Sequence, residues 1–203
     1  SCPNAELAYR IPAFSLDPET AIVINCAGRT RSIIGAETLR QCGFSNPILA
    51  LCNGTQGWAI SGFKLNYGIH PDPLPTVDSE ARVQAAKTAD NLIKRLSLPK
   101  ISSKLLEAWK KDRERTTYIF DVRTEEEFSA GHRPDARHAP GGQLVQATDQ
   151  YLAVRNARIV LCDDTGLRAA TTAMWLRGMG HDAIILERDV SQAMTSKVNY
   201  AVA

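Results

Sequence analysis

The residues best suited to chemistry lie in one short run, Cys26-Ala27-Gly28-Arg29-Thr30-Arg31-Ser32. A cysteine at the end of an apolar β-branched run and just ahead of a helix sits where loop amides converge and the helix N-terminus points, so the place favours a thiolate or a bound anion. Gly28 frees the backbone to turn several amides toward the sulfur. Arg29 and Arg31 add positive charge that lowers the thiol pKa and attracts a dianion, and Ser32 offers a hydroxyl donor. The chemistry these residues suit is that of a stabilised, low-pKa thiolate beside a bound anion. A second run, Cys162-Asp163-Asp164-Thr165-Gly166-Leu167-Arg168, repeats the outline with five residues between Cys and Arg instead of four, and Ala169 follows the arginine. Its two aspartates are expected to raise the thiol pKa and to repel an anionic donor.

The elements that hold these loops also recur. The stretch from Pro3 to Gly43 realigns on that from Pro140 to Gly180: Leu7 falls on Leu144, Arg31 on Arg168, Ala36 on Ala173, Leu39 on Leu176 and Arg40 on Arg177. A compensated one-residue shift then sets Cys26 on Cys162. Each copy reads as strand, loop, helix, strand. The β-branched runs 21–25 and 159–161 are continuous in hydrophobicity, as strands buried on both faces of a parallel sheet should be. Helices are expected over 31–42, with Ile34, Thr38 and Cys42 on one face, and over 168–179, with Thr172, Trp175 and Met179. Gly43 and Gly180 stop them. Short strands follow over 47–51 and 183–186, so the class is α/β, each copy a parallel sheet flanked by helices.

Between the copies, Pro71, Pro73 and Pro75 make a stiff exit. A helix over 79–96 then puts Ala85, Ala89, Leu92, Ile93 and Leu96 on one face, a second covers 103–111, and the charges over 110–115 read as its solvated end. The resulting division is 1–70, a linker over 71–115, and 116–203. The second copy is preceded by a strand over 118–123 and by Thr124 and Glu127, a capping box that opens a helix. The matching stretch of the first copy would have to precede Ser1. The first domain is therefore expected to lack its first strand and helix, so that either another chain supplies them, as in domain swapping, or a sheet edge stays uncovered. A chain that begins with Ser1 is also expected to be a piece of a longer one.

The 203 residues are 44% hydrophobic and 23% charged, which excludes disorder, collagen and coiled coil. Lys and Arg total 24 against 22 Asp and Glu, and a net charge of +2 gives no electrostatic footprint for nucleic acid. The five cysteines at 2, 26, 42, 52 and 162 form no C-x-x-C pair and no disulfide framework, so a reducing, cytoplasmic setting is expected. The histidines at 70, 132, 138 and 181 have no metal-ligand spacing, and no apolar run approaches the length of a membrane span. Neither a metal nor a membrane partner is expected.

Asp121-Val122-Arg123, Glu127-Phe128, Gly131-His132 and Pro134, followed by a strand ending in Cys and a loop ending in Arg, resemble the rhodanese-like sulfurtransferase family. The run from Cys26 to Ser32 is similar to that family's active-site loop. Asn53-Gly54-Thr55-Gln56-Gly57-Trp58, with Gly62, resembles its closing segment. The resemblance implies tandem rhodanese-like domains from a longer protein, with Cys26 as the catalytic nucleophile and Ala27, Gly28, Arg29, Thr30, Arg31 and Ser32 binding substrate. Arg31 is implied in loop structure and anion binding, and Arg29 in donor recruitment. Sulfane sulfur would pass from thiosulfate or a related anion, through a persulfide on Cys26, to cyanide or a thiol, with no cofactor. The alternative is a sulfur-relay or regulatory module with little turnover.

The length of the second loop resembles that of rhodanese-related phosphatases and arsenate reductases. A degenerate or regulatory role is preferred for Cys162, with a second sulfur carrier and a phosphatase-like activity as alternatives. Asp121 and Arg123 read as a structural ion pair, and His132 and His138 as satisfied loop residues. Cys42 is expected in the core. Cys52 is expected to pack, with an approach to Cys26 as the other option. Trp58, Trp109 and Trp175 read as packing anchors.

Overall fold

The computed structural model describes residues 1–70 and 72–188 and divides into two units, Ser1–Gln84 and Ala85–Ala203. Pro71 of the expected exit, and 189–203 at the end of the expected second domain, lie outside the described residues.

In the first unit, α1 (Leu7–Arg10) is followed by β1 (Ile22–Ile24), α2 (Thr30–Gln41), β2 (Ile48–Ala50) and α3 (Gly54–Ile60). The strands are parallel, with Ile22 opposite Ile48, Val23 opposite Leu49 and Ile24 opposite Ala50. Helix α2 buries Ser32, Gly35, Ala36, Thr38 and Leu39. A Cβ at Gly35 would come within 2.9 Å of Leu7 Cδ1 and 3.2 Å of Ile24 Cγ2, so the bare glycine is what lets α2 settle onto α1 and β1. Burial on both faces, expected from the continuous hydrophobicity, is not realised here. Ile22 and Ile24 are buried, but Val23 is 55% and Leu49 52% exposed. An apolar run records what a strand can bury; whether a second layer covers it depends on other elements.

Helix α4 (Ser79–Leu96) occupies the span its apolar face predicts and buries Ala85, Ala89 and Leu92. The second unit continues with β3 (Lys100–Ile101), α5 (Ser103–Lys111), β4 (Thr117–Asp121), α6 (Glu125–Ala130), β5 (Arg137–His138), α7 (Gly141–Gln146), α8 (Thr148–Tyr151), β6 (Arg158–Cys162), α9 (Leu167–Gly178) and β7 (Asp182–Leu186). Its five strands, all paired in parallel, run in the order β3-β7-β6-β4-β5. The Thr124 hydroxyl accepts the Glu127 amide while the Glu127 carboxylate accepts the Thr124 amide, which is the capping box read from the sequence. Within the stretch expected as a linker, β3 pairs with β7, and Leu106 of α5, fully buried, packs with Ile101, Ile119, Ala136, Val160 and Ile184. Its charges are also engaged: Lys110 bridges Glu107 and Asp135, and Arg115 pairs with Asp182.

Candidate active site

Cys26 stands two residues past the end of β1, and α2 starts at Thr30, so the five residues 25–29 carry the backbone from sheet to helix. The start of α3 pins that loop. The Thr55 amide donates to Cys26 O (2.9 Å), the Gln56 amide to Ala27 O (3.0 Å), and Thr55 Oγ1 also donates to Cys26 O (3.3 Å). Gly54 makes this approach feasible: its φ is +57°, and a Cβ would lie 2.1 Å from Cys26 O and 2.4 Å from Gly28 O. Gly54→Ala is therefore expected to cost more than about 2 kcal/mol and to displace the loop. Alkylation of Cys26 by iodoacetamide should slow at least about tenfold while helix content by circular dichroism holds, since only the hydrogen-bonded loop moves. Parental alkylation kinetics in this variant would show that the contact does not position the sulfur.

The sulfur is half-buried. In the thiol form Cys26 donates to Ser32 Oγ (3.5 Å), and Ser32 donates to Arg29 O (2.9 Å). Burial pulls the thiol pKa up, but hydrogen bonds from the Ser32 hydroxyl and from the amides of Ser32, Gly28 and Arg31 outweigh it, and the net shift is down. On ionisation the Ser32 hydroxyl hydrogen turns from Arg29 O to the sulfur. Ala27, Arg29, Thr30 and Arg31 are exposed. The guanidinium groups expected to lower the pKa thus sit in solvent, where screening weakens them. The pH midpoint for alkylation of Cys26 should lie below the ordinary thiol value of about 8.5, so the rate falls off at lower pH than for a free thiol. A midpoint at or above the ordinary value would contradict this environment.

The second loop is built in a different register from the one its cysteine suggests. Helices α2 and α9 correspond end to end at the spacing that sets Pro3 on Pro140, and so do the left-handed Gly43 (φ +84°) and Gly180 (φ +87°). Continued without a shift, the spacing sets Cys26 on Asp163. The hydrogen bonds agree. The Cys26 sulfur takes the amide of Arg31, five residues on, and the Asp163 carboxylate takes the amide of Arg168, five residues on (3.1 Å), together with that of Gly166 (2.7 Å).

Cys162 is the last residue of β6, paired with Asp121, and its Sγ–H donates to Phe120 O (3.4 Å). Burial, then the charges of Asp121 and Asp163, push its thiol far up. Four residues, not five, separate the head of this loop from Arg168, so the cradle is not widened and the likeness to phosphatase and arsenate-reductase loops loses its basis. A sulfur-carrier role for Cys162 has no support in this environment either. A small, fairly apolar side chain fits a buried strand end as well as a loop head, which is why residue type alone misplaced it.

Asp163 is a carboxylate already seated where the first loop holds sulfur. Burial raises its pKa, against the opposing charge of Arg168. Arg168 is fully buried and forks between Glu127 and Asp164 (2.7 Å), with Nε 3.8 Å from Asp163. Thr165 donates to Asp163, and its own carbonyl accepts from Arg188. Leu167 is buried at the start of α9. Arg31, by contrast, is exposed.

Asp121 and Arg123 form the expected ion pair (2.6 Å), with Arg123 also donating to Gly131 O. The rings of His132 and His138 bond the carbonyls of Phe128 and Arg123 and stack on Phe128. Cys42 is half-buried. Cys52, expected to pack, is exposed, since it lies in the turn ahead of α3. Trp109 does anchor the second core and lies under the Arg158 guanidinium (4.7 Å). Trp58, expected as an anchor, is 40% exposed beside Phe63. The two aromatics border a cleft of about 640 Å³ that also touches Gly28, Arg29, Leu51 and Gln56. Sequence reasoning missed Leu51, Ile60 and Phe63 as lining residues, which share no helical or strand period. Among the described residues no group of three or more His, Cys, Asp or Glu is placed to hold a metal ion, and no helix is long and apolar enough to cross a membrane.

A parallel sheet flanked by helices, with an amide-rich loop between strand and helix, defines an anion or thiolate site of the kind rhodanese-like domains carry. The family model for the rhodanese-like domain matches residues 102–193, within the second unit. Among solved structures it is similar to a thiosulfate sulfurtransferase from Pseudomonas aeruginosa, with 43% sequence identity and a TM-score of 0.89 over 95% of this chain and 36% of that one. The chain thus spans little more than a third of that protein's length. A 3-mercaptopyruvate sulfotransferase from Escherichia coli is 15% identical, with a TM-score of 0.36 over 88% of this chain and 70% of that one. No curated protein matches the chain.

Proposed function

We propose that the chain is a sulfurtransferase of two tandem rhodanese-like units, with Cys26 as nucleophile in the first and a carboxylate-filled, inactive loop in the second. The observation that carries this reading is the convergence of the Gly28, Arg31 and Ser32 amides on the Cys26 sulfur. The Cys26 thiolate attacks the outer sulfur of thiosulfate; the sulfur–sulfur bond of the donor breaks and sulfite leaves with its electron pair. The terminal sulfur of the resulting persulfide lies over the same amides, which hold its charge as they held the thiolate. Cyanide or a thiolate then attacks that terminal sulfur, and Cys26 departs as thiolate. Thiosulfate as donor is supported by the similarity to the Pseudomonas aeruginosa thiosulfate sulfurtransferase, and a reducing compartment suits five free cysteines.

Treatment of the purified protein with thiosulfate, followed by peptide mass spectrometry, tests the reading. A gain of about 32 Da, one sulfur atom, on the peptide holding Cys26 and not on that holding Cys162 is expected. No gain on the Cys26 peptide would overturn it.

A further inference from the structure

The cleft beside Cys26 has a composition that thiosulfate and cyanide do not require. Trp58 and Phe63 lie along it with ring centroids 4.5 Å apart and planes tilted by 32°, 40% and 55% exposed, and the indole Nε1 donates to Lys64 O (3.1 Å), which fixes the ring by its one polar atom. Leu51 and Ile60 extend the apolar wall, Asn53 and Gln56 add amides, and Arg29 contributes a cation. On the side toward the catalytic loop the lining is Gly28, where even an added Cβ would meet only Gln56 Oε1, at 3.6 Å. No side chain at 28 therefore separates cleft from loop. A volume of about 640 Å³ lies in the range of small-molecule sites.

We infer that this cleft receives the sulfur acceptor, and that the acceptor is a small organic thiol with an apolar, ring-sized body and an anionic group. The inference rests on Cys26 as the persulfide carrier. A ring laid against Trp58 and Phe63 removes apolar surface from water on both partners and gains stacking geometry. An anionic group pairs with Arg29 while the thiol reaches over Gly28 to the persulfide. Cyanide, two atoms long, uses neither wall nor cation. In the transfer step the acceptor thiolate attacks the terminal sulfur, the bond from that sulfur to Cys26 Sγ breaks, and its electron pair stays on Cys26. The acceptor leaves as a persulfide with no outside oxidant or reductant.

The test uses protein loaded with thiosulfate, freed of sulfite, and mixed with 4-(mercaptomethyl)benzoate, mercaptoacetate or cyanide. Both thiols are alkyl thiols with a carboxylate, and only the first has a ring. Second-order discharge of the persulfide by the ring-bearing thiol is expected to exceed that by mercaptoacetate by on the order of tenfold. Phe63→Ala should cut that ratio at least about threefold, and Arg29→Gln should slow both carboxylate thiols without changing the ratio, as separate apolar and charge contacts require. In the wild type, 4-methylbenzoate should compete with the ring-bearing thiol, which gives a binding readout that needs no variant to fold. Equal rates for the two thiols, or a ratio that Phe63→Ala leaves untouched, would overturn the cleft assignment while discharge by cyanide left Cys26 in place. Failure of any persulfide to form would overturn both.

Discussion

In the Cys26→Ser protein, thiocyanate formation from thiosulfate and cyanide is expected to fall by at least about a thousandfold. A serine hydroxyl has a pKa far above that of a thiol, and the amides of Gly28, Arg31 and Ser32 stabilise an anion only once it has formed. Oxygen also offers no counterpart of the persulfide, so the reaction loses its intermediate as well as its nucleophile. The melting temperature should move little, because the sulfur is half-buried and serine keeps a hydrogen-bonding group in its place. Cys162→Ala is the paired measurement: that thiol is a strand-end residue bonded to Phe120 O, and its loss should leave the rate within about twofold. Retention of a tenth of the activity without Cys26, or its loss without Cys162, would move the site to the other loop.

Arg168→Met should cost about 3–5 kcal/mol, the largest stability effect expected of a single substitution here. The guanidinium is fully buried between Glu127, Asp164 and Asp163, and its backbone amide serves Asp163 too. Methionine fills the volume and leaves those carboxylates without their cation, so the cost is stranded charge more than lost packing. At the entropy of unfolding of a domain this size, the second unit should melt roughly 10–20 °C lower. Arg168→Lys should recover only part, since one ammonium cannot reproduce the planar fork. A melting temperature within about 2 °C of the parent in Arg168→Met would mean that the cluster is solvated in solution and worth little, as surface pairs are.

The contrast between Arg168 and Arg31 shows where sequence reading reached and where it stopped. Both arginines hold the same place after their loops, and Arg31 is the one expected to shape its loop and bind the anion, yet Arg168 is fully buried and Arg31 exposed. Arg168 is held by Glu127, forty-one residues away in the chain, a partner that no local pattern announces. Short-range features were legible. Helix α4 runs over Ser79–Leu96 and α5 over Ser103–Lys111, as the apolar spacing predicts, and the Thr124–Glu127 box closes as expected, because periodicity and capping act within a turn or two. The exposure of Cys52 and the Trp58–Phe63 cleft were not legible, for they depend on where a turn and a helix end come to rest.

The sequence by itself determined the α/β class, the loop that offers Cys26 as the candidate nucleophile, and the helices that follow, since each is encoded in residues a few positions apart. Tertiary structure alone decided which residue heads the second loop. Neighbouring strand-end residues point in opposite directions, so a one-residue slip exchanges a side chain aimed at the cradle for one aimed at the core, and Cys162 and Asp163 are told apart only once the sheet register places them.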